Sequence, residues 1–153
     1  MSSDSKDRGW LAVRHDQVDL IRKVASLQVE LSNAQDKARK EQMQLLLDCL
    51  DVLDGFDRVF DNIAPREANA DQQTRIWIGN FRAVRKVLDN HLKSRGVVVI
   101  EAPEGKALPG FHTIVGTEEQ PQLEDGTILT EQRRGYMWKG DVLRRSLVIA
   151  VKN

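Results

Sequence analysis

The stretch WLAVRHDQVDLIRKVASLQVELSNAQDKARKEQMQLLLDCLDVLDGFDRVFDNI, Trp10 to Ile63, holds no proline and a single glycine, Gly55. Its apolar residues recur at helical spacing almost throughout. A helix over the whole stretch would extend roughly 80 Å at about 1.5 Å per residue, well beyond the diameter of a domain this small. A rod of that kind cannot bury its own stripe, so it needs a second chain or a fold-back partner.

Placing Trp10 at a heptad a position puts Trp10, Val13, Gln17, Leu20, Val24, Leu27, Leu31, Ala34, Ala38, Glu41 and Leu45 at a and d. Most are apolar, and Asp16, Lys23, Glu30 and Lys37 supply charge at g, the pattern of a two-stranded coiled coil. Gln17, Glu41, Ala34 and Ala38 loosen the seam. The alternative is a single amphipathic helix lying on its own domain. No downstream helix matches it in length, which favours self-association.

From Leu45 the stripe widens. Leu46, Cys49, Leu50, Leu53, Phe56, Phe60 and Ile63 recur at three- and four-residue steps, with Leu47, Val52 and Val59 beside them. A wide stripe faces several neighbours, as in a helical bundle. Asp48, Asp51, Asp54, Asp57 and Asp61 fall largely off that stripe. With no glycine-punctuated calcium loop and no histidine among them, they read as a solvated face.

Pro65 is expected to end this helix, and Asn69 with Gln72 to cap the next. The second helix carries Trp77, Phe81, Val84, Leu88 and Leu92 on one face and closes at Arg95-Gly96. His91 reads as a core or boundary residue. Two helices on a short loop form an antiparallel hairpin, and two hairpins in a dimer would make a four-helix bundle. After Gly96 the chain turns β-branched. Val97–Ile100, His112–Val115, Thr127–Gln132, Tyr136–Trp138 and Val142–Val151 read as strands separated by turn residues. The fold class is therefore α+β: a disordered tail over 1–9, a long coiled-coil helix over 10–44, a helical hairpin over 45–95, and a small, mostly antiparallel β-domain over 96–153.

The 23 basic and 23 acidic residues balance, so no global attraction to nucleic acid or an anionic membrane is expected. No apolar run approaches a membrane span, and residues 1–9 lack the apolar middle of a signal peptide. Cys49, the only cysteine, reads as buried core in a reducing cytoplasm. No phosphate-binding glycine loop, nucleophile motif or metal-ligand spacing occurs, so neither catalysis nor a cofactor is expected. One local run is rich in cations and aromatics: Arg133-Arg134-Gly135-Tyr136-Met137-Trp138-Lys139, followed by Arg144-Arg145. Such a run can contact nucleic acid, present anchors to a protein, or pack a small sheet.

Gly135-Tyr136, then Gly140, Val142-Leu143-Arg144 and the Leu147–Val151 strand resemble the C-terminal signature of GrpE-type nucleotide-exchange factors, the co-chaperones of DnaK-type chaperones. Gly96-Val97 leading to Ile100, Pro109 with His112, and Gly126 follow in the family's order. Leu53-Asp54 and Asp57-Arg58 resemble its bundle-helix motif. The resemblance covers roughly Lys40 to Lys152, and the helix before it agrees in type.

The resemblance implies a cytoplasmic homodimer that grips the ATPase domain of a DnaK-type chaperone and favours its open cleft, so that ADP leaves. It implies no catalytic residue and no nucleotide held by the factor itself, and the balanced charge leaves no nucleic-acid or membrane partner expected. The partner-contact positions it carries over are Arg58, Asp61, Asn62, Ala107, Pro109, Gln132, Asp141 and Ala150, of which Arg58 and Pro109 keep the expected residue type. Dimer contacts fall on Leu20, Val24, Leu27, Leu31, Leu45, Leu53, Phe56 and Phe60. His112, Gly126, Gly135, Tyr136 and Arg144 match the motif as residues that shape the β-domain. Three departures stand out: Asp141 where a basic residue is usual, Trp138 at a leucine position, and Arg145-Ser146 in place of a small or proline-containing pair. Outside the family, the same pattern would suit a coiled-coil adaptor with a β protein-binding domain.

Overall fold

The structure is a computed structural model that describes residues 3–153. Among them are helix α1 (Ser3–Glu67), helix α2 (Gln72–Ser94) and the strands β1 (Val97–Val99), β2 (His112–Glu118), β3 (Ile128–Arg133), β4 (Tyr136–Trp138), β5 (Asp141–Arg144) and β6 (Ser146–Val151). A single 3-10 turn, Pro103–Gly105, precedes β2. The chain divides into two compact units, Met1–Met43 and Gln44–Asn153.

The first unit is helical from Ser3, inside the 1–9 segment expected to be a disordered tail, while Met1 and Ser2 lie outside the described residues. Once nucleated, a helix propagates at one backbone bond per residue, so a polar composition alone does not stop it. Leu20, Val24, Leu27 and Leu31 lie exposed along this unit at 65, 48, 54 and 59 %. Their stripe is thus left open, as the heptad reading requires of a chain viewed singly.

In the second unit α1 runs past Pro65 to Glu67, a correction to the expected stop. Proline forfeits its backbone bond to the carbonyl of Asp61 there, and the helix ends two residues later. The N-cap of α2 is Asp71 rather than Asn69, its carboxylate accepting the Thr74 N–H at 2.7 Å. At the other end Arg95 N–H donates to Leu92 O, and Gly96 takes φ +84, the left-handed turn anticipated from the sequence. The hairpin is pinned by ion pairs. Arg82 bonds Glu67 in bidentate fashion at 2.5 and 2.6 Å and covers the Phe60 ring at 5.5 Å, and Arg85 bonds both oxygens of Asp57.

The β-domain holds two small sheets. β1, β4 and β5 form an antiparallel sheet in the order β1-β4-β5. In the other, β6 lies between β2, to which it is parallel, and β3, to which it is antiparallel. The run expected as one strand over Val142–Val151 is two, because the chain leaves the first sheet at Arg145 and enters the second at Ser146. Ser146 is fully buried and its hydroxyl accepts the Gly135 N–H at 2.9 Å, which fixes the crossover. The buried apolar side chains of this unit are Leu46, Leu50, Leu53, Ile78, Leu92, Val97, Ile100, Tyr136, Trp138, Leu143, Val148, Ala150 and Val151. Fully burying a side chain such as Leu50 contributes about 1.5–3 kcal/mol. Cys49 and His91 depart from the sequence reading: the thiol is half-buried and the imidazole exposed. Among the described residues no helix is long and apolar enough to cross a membrane.

Candidate functional site

The acidic run on α1 is not simply a solvated face. Asp54 accepts from Arg144 through two bonds of 2.8 Å and from Arg133 Nε at 2.7 Å. Asp51 accepts from Arg133 at 2.5 Å and from Arg144 at 3.4 Å. The helical period sets Asp51, Asp54 and Asp57 on neighbouring turns, so one carboxylate row meets arginines from β3, β5 and α2. Arg144 also donates to the Arg134 carbonyl and covers the Tyr136 ring at 5.5 Å, which occupies its planar fork almost completely. Burial pushes the Asp54 carboxyl up, but the hydrogen bonds and charges of Arg144 and Arg133 outweigh it and hold the group below its ordinary value. Burial raises the Tyr136 phenol, against the opposing pull of Arg134 and Arg85.

Beside this network lies an open cleft of about 390 Å³ between α1 and β3. Asp54, Asp57, Arg58, Phe60 and Asp61 line one side, and Glu131, Gln132, Arg133 and Arg134 the other. Arg58, Asp61 and Gln132, three residues assigned to partner contact from the sequence, thus share one surface. All three are exposed, as is the neighbouring Asn62. The cleft mixes both signs of charge around the half-buried Phe60 ring, which suits a polar protein surface better than a small apolar molecule.

The other assigned positions fall elsewhere. Ala107 is half-buried with its N–H bonded to Gly126 O, and Pro109 is exposed in the turn before β2. Asp141 is exposed after the Lys139-Gly140 turn, where both residues take positive φ. Ala150 is fully buried at the centre of its sheet, opposite Ile128 and Thr117, so its methyl shapes the surface from beneath rather than forming it. Of the assigned dimer residues, Leu45 is 64 % exposed, Phe56 and Phe60 are half-buried and stacked at 6.2 Å, and Leu53 is 1 % exposed. Leu53 therefore belongs to the protomer's own core. Trp138 is buried and its indole N–H donates to Arg95 O at 3.1 Å, a bond that leucine could not make. His112 is buried with Nδ1 accepting the Leu108 N–H.

Sequence reasoning missed Asp51, Asp54, Arg133 and Arg144 as one network. The available signal was their complementarity: an acidic row on a helix and a basic run in the β-domain, each compact and of opposite sign.

A family model described as GrpE matches residues 15–152. Protein GrpE of Chlorobium luteolum is 32% identical over 108 residues, 71% of this chain and 54% of its own. Protein GrpE of Bacillus cereus is 31% identical over 112 residues, with 72% and 57% covered. That of Bacillus subtilis is 27% identical over 134 residues, with 82% and 69% covered. The chain spans about half the length of the first of these relatives. The family match runs from within the first helical unit through β6, taking in the cleft, the arginine–aspartate network and both small sheets, and so the chain belongs to the GrpE family.

Proposed function

We propose that this chain is a nucleotide-exchange co-chaperone that acts as a homodimer in the cytoplasm. It binds the ATPase domain of a DnaK-type chaperone and accelerates ADP release by binding the open cleft more tightly than the closed one. The observation that carries this reading is the cleft between α1 and β3, where Arg58, Asp61 and Gln132 stand together on the chain's family-matched portion. Such a factor is not an enzyme. A differential affinity for two conformations of its partner is sufficient, and catalytic groups are superfluous. The exposed stripes of α1 and α2 support the dimer, because water-exposed apolar rows at helical spacing favour burial against a second copy. The engagement of Arg133 and Arg144 by carboxylates favours a protein partner over nucleic acid, since both cations are already compensated.

Stopped-flow release of a fluorescent ADP analogue from the cognate chaperone tests the reading. Saturable acceleration by the folded dimer is expected. Release unchanged at all concentrations would overturn it.

A further inference from the structure

The β-domain carries a second concavity, of about 420 Å³, that shares no lining residue with the cleft between α1 and β3. Val98, Ile100, Pro103, Leu108, Phe111 and Met137 give it an apolar lining, and Glu101 is its one charged residue. Val98 is 53 % exposed and Leu108 37 %, so apolar surface here faces water.

The strand beside the groove has an unpaired edge. β1 is the outer strand of its sheet, with β4 on one side only. Ile100 N–H donates to Gly135 O on that side, and antiparallel pairing alternates direction along a strand. The N–H and C=O of Val99 therefore face away from β4, and no turn or loop bond reaches them among the described residues.

The charge beside the groove is one-sided. Glu101 has no ion-pair partner among the described residues, and Glu104 follows in the 3-10 turn with φ +61. The cation of the same loop, Lys106, is held by Glu124.

We propose that this groove docks an extended peptide segment in which a bulky apolar side chain stands next to a lysine or arginine. The segment adds a strand to β1 through Val99, its apolar side chain fills the space between Val98 and Phe111, and its cation meets Glu101. The apolar fill supplies affinity. Glu101 supplies selection, because an acidic residue at that position would be repelled. This inference is independent of the exchange reading and stands or falls separately from it.

Fluorescence anisotropy of the full chain tests it with a fluorescein-labelled nonapeptide of alternating valine and threonine carrying a central leucine–arginine pair. The control peptide has glutamate in place of the arginine. Saturable binding is expected, at least tenfold tighter for the arginine peptide, with Glu101→Gln reducing that preference below threefold. Val98→Asp should abolish binding while circular dichroism stays unchanged, and Leu108→Ser serves the same purpose should Val98→Asp disturb folding. Absence of saturable binding, equal binding of both peptides, or undiminished binding in both groove variants would overturn the proposal. So would self-association of the chain that the peptide displaces and Val98→Asp removes, since the occupant would then be a second copy.

Discussion

Arg144 donates to both carboxylate oxygens of Asp54, two bonds of 2.8 Å that tie β5 to α1 across 90 residues of sequence. The arginine side chain is 10 % exposed and the aspartate 15 %, so neither is free to recruit water as a substitute. Removing the carboxylate leaves the guanidinium with the Arg134 carbonyl and with one carboxylate, Asp51, at 3.4 Å. Asp54→Ala is therefore expected to destabilise the second unit by about 2–3 kcal/mol, somewhat below the loss for a fully enclosed pair. Urea unfolding checks this: the midpoint should fall with the slope unchanged. A variant as stable as the parent would mean that the network contributes no more than an exposed surface pair.

The same carboxylate gives a pH dependence with a definite sign. Its native pKa lies below the ordinary 3.8, so the unfolded chain takes up this proton first as pH falls. The stabilisation is complete above about pH 5, and is lost as pH falls through 3.8 and then through the lower native value. Glu67, Asp71 and Glu124 are also held low, so acid unfolding of the parent alone would mix several groups. The difference between parent and Asp54→Asn isolates one. That difference should be constant from pH 7 to about 5 and shrink below it, as read from urea midpoints.

Gly135 and Ser146 should prove intolerant for separate reasons. A Cβ at position 135 would overlap Ser146 N and Oγ and come within 2.9 Å of the Arg145 carbonyl carbon. Backbone is on the receiving side of that overlap, so Gly135→Ala is expected to cost about 3 kcal/mol. Ser146→Ala leaves the Gly135 N–H buried without its acceptor, at about 1–3 kcal/mol. Thermal unfolding of the two variants should rank them in that order.

What the sequence reveals and conceals follows from the range of the forces involved. The helices and most strands are legible because their signals are local: the three- and four-residue steps through Leu46, Leu50 and Leu53, and the β-branched run Val97–Val99. The single strand expected over Val142–Val151 fails for a non-local reason. Nothing in the run itself announces that Ser146 is pinned to Gly135, eleven residues earlier. The acidic face of α1 is misread in the same way. Periodicity correctly places Asp51 and Asp54 off the apolar stripe, but their arginines lie 79 to 93 residues downstream, and only the tertiary fold brings them together. Leu53 illustrates the converse: its position on the bundle stripe is right, yet its burial within one protomer cannot be told from burial between two by spacing alone.

The exposed face of α2 should govern assembly. Trp77, Phe81 and Val84 follow one another at four- and three-residue steps and are 57, 50 and 55 % exposed, with Ile76 and Val87 nearby. Burying each large side chain against a second copy would contribute about 1.5–3 kcal/mol. Trp77→Glu combined with Phe81→Glu should therefore raise the dimer dissociation constant at least 100-fold, about 2.8 kcal/mol. Sedimentation equilibrium measures this directly, and circular dichroism should show the helix content of the variant retained. An unchanged dissociation constant would assign assembly to α1 alone.

Arg58 separates binding from folding. Its side chain is exposed on α1, lines the cleft shared with Asp61 and Gln132, and has no ion-pair partner among the described residues. Truncation removes no packed apolar group and breaks no ion pair, so Arg58→Ala should shift stability by less than about 0.5 kcal/mol. A hot-spot arginine, by contrast, accounts for about 2 kcal/mol or more, so on the proposed exchange function the affinity for a DnaK-type ATPase domain should fall about 30-fold. The two parameters of the ADP-release curve then distinguish how the residue acts. If Arg58 grips the open and closed forms equally, the concentration for half-maximal acceleration rises and the maximal rate is kept. If it grips the open form preferentially, the maximal rate falls as well, because only a difference in affinity between the two forms shifts their equilibrium. Arg58→Glu should exceed Arg58→Ala in either case, since it adds repulsion to the lost contact. Parent-like exchange in both variants would remove this cleft as the working surface.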